Sequence, residues 1–233
     1  FSSPQDQILF DVGHQSYTHK IITGRREQFA TLRTKGGLSG FPKRMESMDD
    51  AFIGGHSSTS LSAGLGLAYA KKLKGEKGSV ICVVGDGAMT GGMIYEAINN
   101  VSKLNSSLVF VLNDNEMSIS KNVGSLAKYL SAIRSRPEYF KIKDQVDKGL
   151  SRVPLIGQGI AELLKSSKMM LKDIIYKKTF FEDMGFDYYG PVDGHDIPAL
   201  VTVFTQAKRS GKPAFVHVHT VKGKGMPQAE QDP

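Results

Sequence analysis

Apolar residues fall along this chain in two alternating rhythms. Short runs rich in β-branched and aromatic residues predict strands over Ile8–Val12, Ala51–Ile53, Val80–Val84, Leu108–Asn113 and Ala214–Thr220. Longer stretches with helical spacing predict helices near Ser58–Leu73, Gly92–Lys103 and Pro198–Ser210. Gly75 and Gly211 fall just past two of these helices, where a left-handed residue stops the turn. Val80-Ile81-Cys82-Val83-Val84 is apolar at every position, as expected of a strand covered by helices on both faces. Strand–helix–strand order implies a parallel sheet with right-handed crossovers. The expected fold class is α/β, a parallel sheet flanked by helices.

One segment breaks the rhythm. Residues 121–178 hold 13 Lys/Arg against 5 Asp/Glu, whereas the rest of the chain holds 17 against 18. The formal charge of +7 therefore comes from one internal stretch. Within it, Leu155–Tyr176 spaces Leu163, Leu164, Leu171, Ile174 and Ile175 as an amphipathic helix does. We read 121–178 as a mainly helical basic insertion or lid, expected to be poorly ordered in places, on a single domain spanning 1–233. Its charge suits a solvated helical face better than a nucleic-acid surface. No aromatic-rich RNA motif, zinc-finger spacing or heptad repeat accompanies it. A basic, non-catalytic binding module is the alternative from outside the enzymes.

Composition narrows the class further. With 233 residues, 40% apolar and 23% charged, the chain has the makeup of an ordinary globular protein of one large domain or two small ones. It contains no apolar run near the ~18 residues a membrane span needs. The single cysteine, Cys82, excludes an internal disulfide and a multi-cysteine zinc site, which fits a reducing cytoplasm. The opening FSSPQDQ has neither the basic start nor the apolar core of a signal peptide. Because the chain begins at Phe1, it is expected to be a piece of a longer polypeptide.

Candidate chemistry lies where strands give way to helices, since ligands of an open parallel sheet collect at the carboxyl ends of its strands. Gly85-Asp86-Gly87-Ala88-Met89-Thr90-Gly91-Gly92 follows one strand and opens a helix. Its glycines let the backbone approach a ligand, and a helix amino terminus favours anions. They also fit a loosened dinucleotide fingerprint, but the carboxylate of Asp86 would repel a bare pyrophosphate unless a cation lies between. Asn113-Asp114-Asn115-Glu116-Met117 follows the next strand, about one strand–helix–strand unit later. A carboxylate, an amide oxygen and a backbone carbonyl, completed by phosphate oxygens and water, suit octahedral Mg²⁺. Either loop alone also reads as a plain turn; the pair at this spacing favours a metal–diphosphate site.

Two histidines join the same rim. His56 lies in Gly54-Gly55-His56-Ser57-Ser58-Thr59-Ser60, where Ser57 or Ser58 suits a helix cap. His14 lies in Asp11-Val12-Gly13-His14-Gln15, after the first strand. Such loop histidines can donate to phosphate or transfer protons. Cys82 reads as a buried small hydrophobe, and His217 and His219, on one face of a strand, as structural. Asp193-Gly194-His195-Asp196 is a turn by composition, with a functional role for His195 as the open alternative. The serines of 57–60 show no partners for nucleophilic catalysis.

Gly-Asp-Gly followed some thirty residues later by Asn resembles the thiamin-diphosphate-binding pattern. DVGHQSYTHKIITGR, GGHSSTSLSAGLG, GDGAMTGGM, LNDNEMSIS and GPVDGHD together resemble the 1-deoxy-D-xylulose-5-phosphate synthase family, in order from about Pro4 to Pro233. The resemblance implies condensation of pyruvate with D-glyceraldehyde 3-phosphate, with loss of CO₂, on the way to isoprenoids, thiamin and pyridoxal. It implies thiamin diphosphate and Mg²⁺ as cofactors. Asp86 and Asn115 would bind the ion through side chains and Met117 through its backbone oxygen. Gly87, Ala88 and Asn115 would contact the diphosphate, with His14, Gly55, His56 and Ser57 around the cofactor. His14 and His56 are implied in substrate binding and proton transfer. The resemblance further implies a homodimer, and a pyrimidine-binding domain supplied in cis or, in a split enzyme, in trans. Without that domain the chain is expected to be catalytically silent. Met226 stands where the family has a tyrosine.

Overall fold

The computed structural model of the chain describes residues 1–104, 107–115, 125–134 and 179–232. Among these residues five strands form one parallel sheet: β1 (Gln7–Phe10), β2 (Val80–Gly85), β3 (Leu108–Asp114), β4 (Asp187–Asp193) and β5 (Ala214–His219). Their spatial order is β1-β2-β3-β5-β4. The helices are α1 (Tyr17–Lys20), α2 (Ser60–Lys74), α3 (Gly92–Val101), α4 (Ser125–Arg134), α5 (Phe180–Asp183), α6 (Ile197–Ser210) and α7 (Pro227–Gln231). No helix among the described residues is long and apolar enough to cross a membrane.

The winding explains the two-sided core. From β1 to β3 the sheet grows in one direction, and β4 to β5 returns in the other. Crossovers of one hand must then put the returning helix on the opposite face. Accordingly, α2 and α3 bury Leu61, Ala68, Ile94 and Ile98 with Leu9, Phe110 and Phe215 on one side. On the other side α6 packs Leu200, Val203, Phe204 and Ala207 against Ile81, Val109, Val111 and Val216. Helix α2 buries the stripe Leu61, Gly64, Ala68 and Lys71. A Cβ added at Gly64 would fall 2.2 Å from the sulfur of Cys82, so the missing side chain lets the helix lie close on β2. Cys82 itself is fully buried. Burial and the nearby charge of Asp11 push its thiol up, away from thiolate chemistry, as its reading as a small hydrophobe requires. Gly75 and Gly211 end α2 and α6 in the left-handed conformation.

Two elements depart from the expected pattern. Ala51–Ile53 forms no strand; only a single bridge between Ile8 and Asp50 touches the sheet there. Ala51 and Phe52 instead pack against the larger core cluster as irregular chain. Conversely, Asp187–Asp193 forms β4, although Gly190 and Pro191 interrupt its apolar alternation. It is an edge strand with a register shift between Tyr189 and Val192, the setting in which proline is tolerated. Of the basic stretch 121–178, α4 lies within the described residues, and the helix expected over 155–176 lies outside them.

Between β1 and α2 the chain is held by charge rather than by a sheet. The Arg25 guanidinium donates to both oxygens of Asp50, at 2.7 and 2.8 Å. His19 Nε2 lies 3.2 Å from the same carboxylate, and the Lys43 amide donates to it at 2.7 Å. Beside it, fully buried Lys20 donates to Glu46 at 2.7 Å, and Glu46 also accepts from the Ser39 amide. Burial opposes the charge on Asp50, but the hydrogen bonds from Arg25, His19 and Lys43 outweigh it and hold the carboxyl well below its ordinary value of 3.8. A carboxyl depressed in the folded state stabilises above its unfolded pKa and loses that contribution as pH falls. We expect Asp50→Ala to destabilise by about 3–5 kcal/mol in urea unfolding at pH 7, because buried Arg25 loses its two-oxygen partner and keeps only Glu46, 3.7 Å away and already shared with Lys20. Below pH ~4 the gap between wild type and variant should narrow.

Candidate functional site

The carboxyl edge of the sheet is organised by one side chain, Asp11. Its amide donates to the Val83 carbonyl of β2, which fixes it just beyond the end of β1. Its carboxylate accepts from the Ser58 amide at 2.7 Å, the Ser60 amide at 3.0 Å and the Ser60 hydroxyl at 2.7 Å. Helix α2 thus starts on a carboxylate from the loop that follows β1. The expected cap by Ser57 or Ser58 is not found: Thr59 holds the cap position, and no side chain of its own closes the helix. Ser58 is turned away, at φ +65°, and its hydroxyl donates to the Ala88 carbonyl at 2.7 Å. Val12, next to Asp11, also has positive φ, 58°, which a β-branched residue adopts only under constraint. Packing supplies that constraint, since a Cβ at Gly54 would fall 2.6 Å from the Val12 carbonyl oxygen.

The third loop completes the rim. Asp86–Thr90 forms a 3₁₀ turn pinned by fully buried Met89. A Cβ at Gly91 would sit 2.0 Å from the Ser58 hydroxyl, so this turn and the 54–60 loop interlock. Gly85 pairs with Asn113 in the β2–β3 register. Asp86 and Asn115 therefore lie one and two residues past paired positions on neighbouring strands, at one edge of the sheet. Asp86 is buried and Asn115 half-buried. The space facing the rim is open: a Cβ at Gly85 or Gly55 would meet nothing within 4 Å. Among the described residues no group of three or more His, Cys, Asp or Glu could hold a metal. An ion beside Asp86 and Asn115 needs further oxygens from its ligand, and hard oxygen donors next to open space fit a cation carrying an anion.

Other expected residues take these places. His14, Gly55, His56 and Ser57 are exposed, on loops that Asp11 ties together, while Gly87 and Ala88 are half-buried in the 3₁₀ turn. Met117 lies outside the described residues. His217 and His219 part ways: His217 is fully buried, whereas His219 is half-buried at the strand end. In the 193–196 turn the His195 amide donates to Asp193, Asp196 caps α6 by accepting from the Ala199 amide, and His195 Nε2 accepts from the Val221 amide. The organising roles of Asp11 and Ser58 were not evident in the sequence. An Asp directly after an apolar strand was the available signal, but its partners lie 47 and 49 residues away.

The fold of this chain is similar to that of solved transketolases. The enzyme from Campylobacter jejuni subsp. jejuni NCTC 11168 matches 94% of this chain and 30% of its own, with a TM-score of 0.62 and 20% identity. That from Leishmania mexicana matches 92% and 28%, with a TM-score of 0.58 and 18% identity. At this identity the likeness defines the fold. The family follows from sequence: a profile described as 1-deoxy-D-xylulose-5-phosphate synthase matches residues 1–220, and the chain belongs to that family. It is 52% identical over all 233 residues to the synthase of Carboxydothermus hydrogenoformans, covering 38% of that protein. It is 50% identical to that of Clostridium kluyveri, covering 37%. The chain spans under two-fifths of the length of these curated relatives.

Removing the carboxylate of Asp11 strands the Ser58 and Ser60 donors together. We expect Asp11→Ala to lower stability by about 2–4 kcal/mol in urea unfolding. Amide exchange should accelerate at the first turn of α2, and that at β3 should change only through the global loss.

Proposed function

We propose that this chain is the thiamin-diphosphate- and Mg²⁺-binding part of a 1-deoxy-D-xylulose-5-phosphate synthase, which joins pyruvate to D-glyceraldehyde 3-phosphate with loss of CO₂. The observation that carries the reading is the pairing of Gly85 with Asn113 in a chain of this family. Through it a carboxylate and an amide oxygen follow at one edge, beside open space. When bound, thiamin diphosphate supplies the carbanion chemistry of the reaction.

The chain's own residues bind and orient. Asp86 and Asn115 hold the ion through side-chain oxygens, and Met117 through its backbone oxygen. A hard cation held there would complete its shell with oxygens of the diphosphate and water. The ion also offsets the repulsion that Asp86 exerts on the diphosphate. Gly87, Ala88 and Asn115 contact the diphosphate, where glycine lets the backbone come close. His14, Gly55, His56 and Ser57 surround the cofactor on the outer rim. The exposed imidazoles of His14 and His56 assist substrate binding and exchange protons at their ring nitrogens. The reading includes a pyrimidine-binding domain contributed by the rest of a synthase of which the chain spans under two-fifths, and a homodimeric enzyme; on this reading the chain alone is catalytically silent.

Two measurements test this. In the full-length synthase carrying this chain, Asp86→Ala should lower kcat at least about 100-fold, more than loss of a supporting contact would. It should also abolish the Mg²⁺-dependent rise in melting temperature with thiamin diphosphate. Wild-type Mg²⁺ dependence in that variant would overturn the assignment. Turnover by the 233-residue chain alone, at a rate near that of the full synthase, would overturn its silence.

A further inference from the structure

We infer that His217 is a positioning residue for the ion site. It is clamped between Tyr188 and Asp114 so that the end of β3 presents Asn115 to the ion. The inference rests on the proposed role of Asn115 as a ligand. Tyr188 lies on β4, His217 on β5 and Asp114 on β3, so the three side chains span three adjacent strands. The Tyr188 hydroxyl lies 2.9 Å from His217 Nδ1, and His217 Nε2 lies 2.9 Å from an Asp114 carboxylate oxygen. With the ring hydrogen assigned to Nε2 from these partners, the imidazole donates to Asp114 and accepts from Tyr188.

This polar line is embedded among apolar rings. Tyr188 stacks on Phe181 and Phe215, and His217 and Asp114 are fully buried. The bare backbone of β4 also presses on the imidazole's own residue: a Cβ at Gly190 would fall 2.4 Å from the His217 carbonyl oxygen. Burying a carboxylate is expensive, and well-packed apolar residues would hold three strands together at least as well. What hydrogen bonds add is direction. They fix the rotation of Asp114 about the strand axis, and Asn115 is the next residue. Thr220 reinforces the clamp from β5's end, with its amide donating to the Asp114 carbonyl at 3.0 Å and its hydroxyl to Asn113 at 2.7 Å. The two residues before Asn115 are thus tied to the β5 side, while Asn115 itself lies half-buried at the open rim. Supporting contacts of this kind hold a ligand within the few tenths of an ångström that metal geometry tolerates.

The test uses the full-length synthase carrying this chain, with calorimetric titration of Mg²⁺ at saturating thiamin diphosphate and the melting temperature of the cofactor-free protein. His217→Leu should weaken Mg²⁺ binding about 10–100-fold, the range for lost supporting contacts. His217→Gln, which keeps an N–H for Asp114, should recover part of that loss. Unchanged Mg²⁺ affinity in a folded His217→Leu protein, with only a lower melting temperature, would overturn the inference and leave His217 a packing residue. Should the Leu variant fail to fold, Tyr188→Phe decides: a several-fold weaker Mg²⁺ affinity supports the positioning role, and an unchanged one rejects it. Failure of the underlying reading would show separately, as a wild-type protein that takes up thiamin diphosphate without Mg²⁺.

Discussion

The carboxylate of Asp11 is the constraint on which the rim of the sheet depends. It sits one residue past β1, accepts three hydrogen bonds from Ser58 and Ser60, and so fixes where α2 begins. Ser58 passes the constraint on through its hydroxyl to Ala88, and so to the turn that holds Asp86. Three loops separated in sequence by tens of residues become one surface through two side chains. The strained backbone at Val12 and Ser58 is the local consequence: the loops are held where these bonds form, and the backbone conforms.

Elsewhere the chain uses buried polar groups for the same purpose. The Arg25–Asp50 fork and the Lys20–Glu46 pair shape a segment that has little regular structure, giving it fixed anchors where a sheet ladder is absent. The Tyr188–His217–Asp114 line crosses β4, β5 and β3, on the far side of β2 from the strand that carries Asp11 at its end. In each case the apolar core supplies most of the stability and the polar contacts supply direction. A site that binds a small, hard cation needs the second as much as the first, because its ligands must converge on one point.

The strands and helices that follow a clean period are legible in the sequence alone. Val80–Val84, Leu108–Asn113 and the two glycine-stopped helices appear within a residue or two of their expected limits. Ala51–Ile53 did not form a strand because Asp50, just before it, is drawn into the ionic cluster and its neighbours serve the core without a ladder. The strand Asp187–Asp193 was missed because glycine and proline normally interrupt a sheet; an edge position with a register shift accommodates them.

Alternating periodicity, glycine placement and the order of loops were enough to determine an α/β sheet and to put the candidate site residues at its carboxyl edge, because those depend on neighbours close in sequence. The motifs were enough to point to the synthase family. Tertiary structure alone decided that Asp11 caps a helix 49 residues away and that His217 lies between Tyr188 and Asp114. It alone set Gly85 beside Asn113. Contacts between distant parts of the chain arise only once the strands have chosen their order and register, and no local pattern encodes that choice.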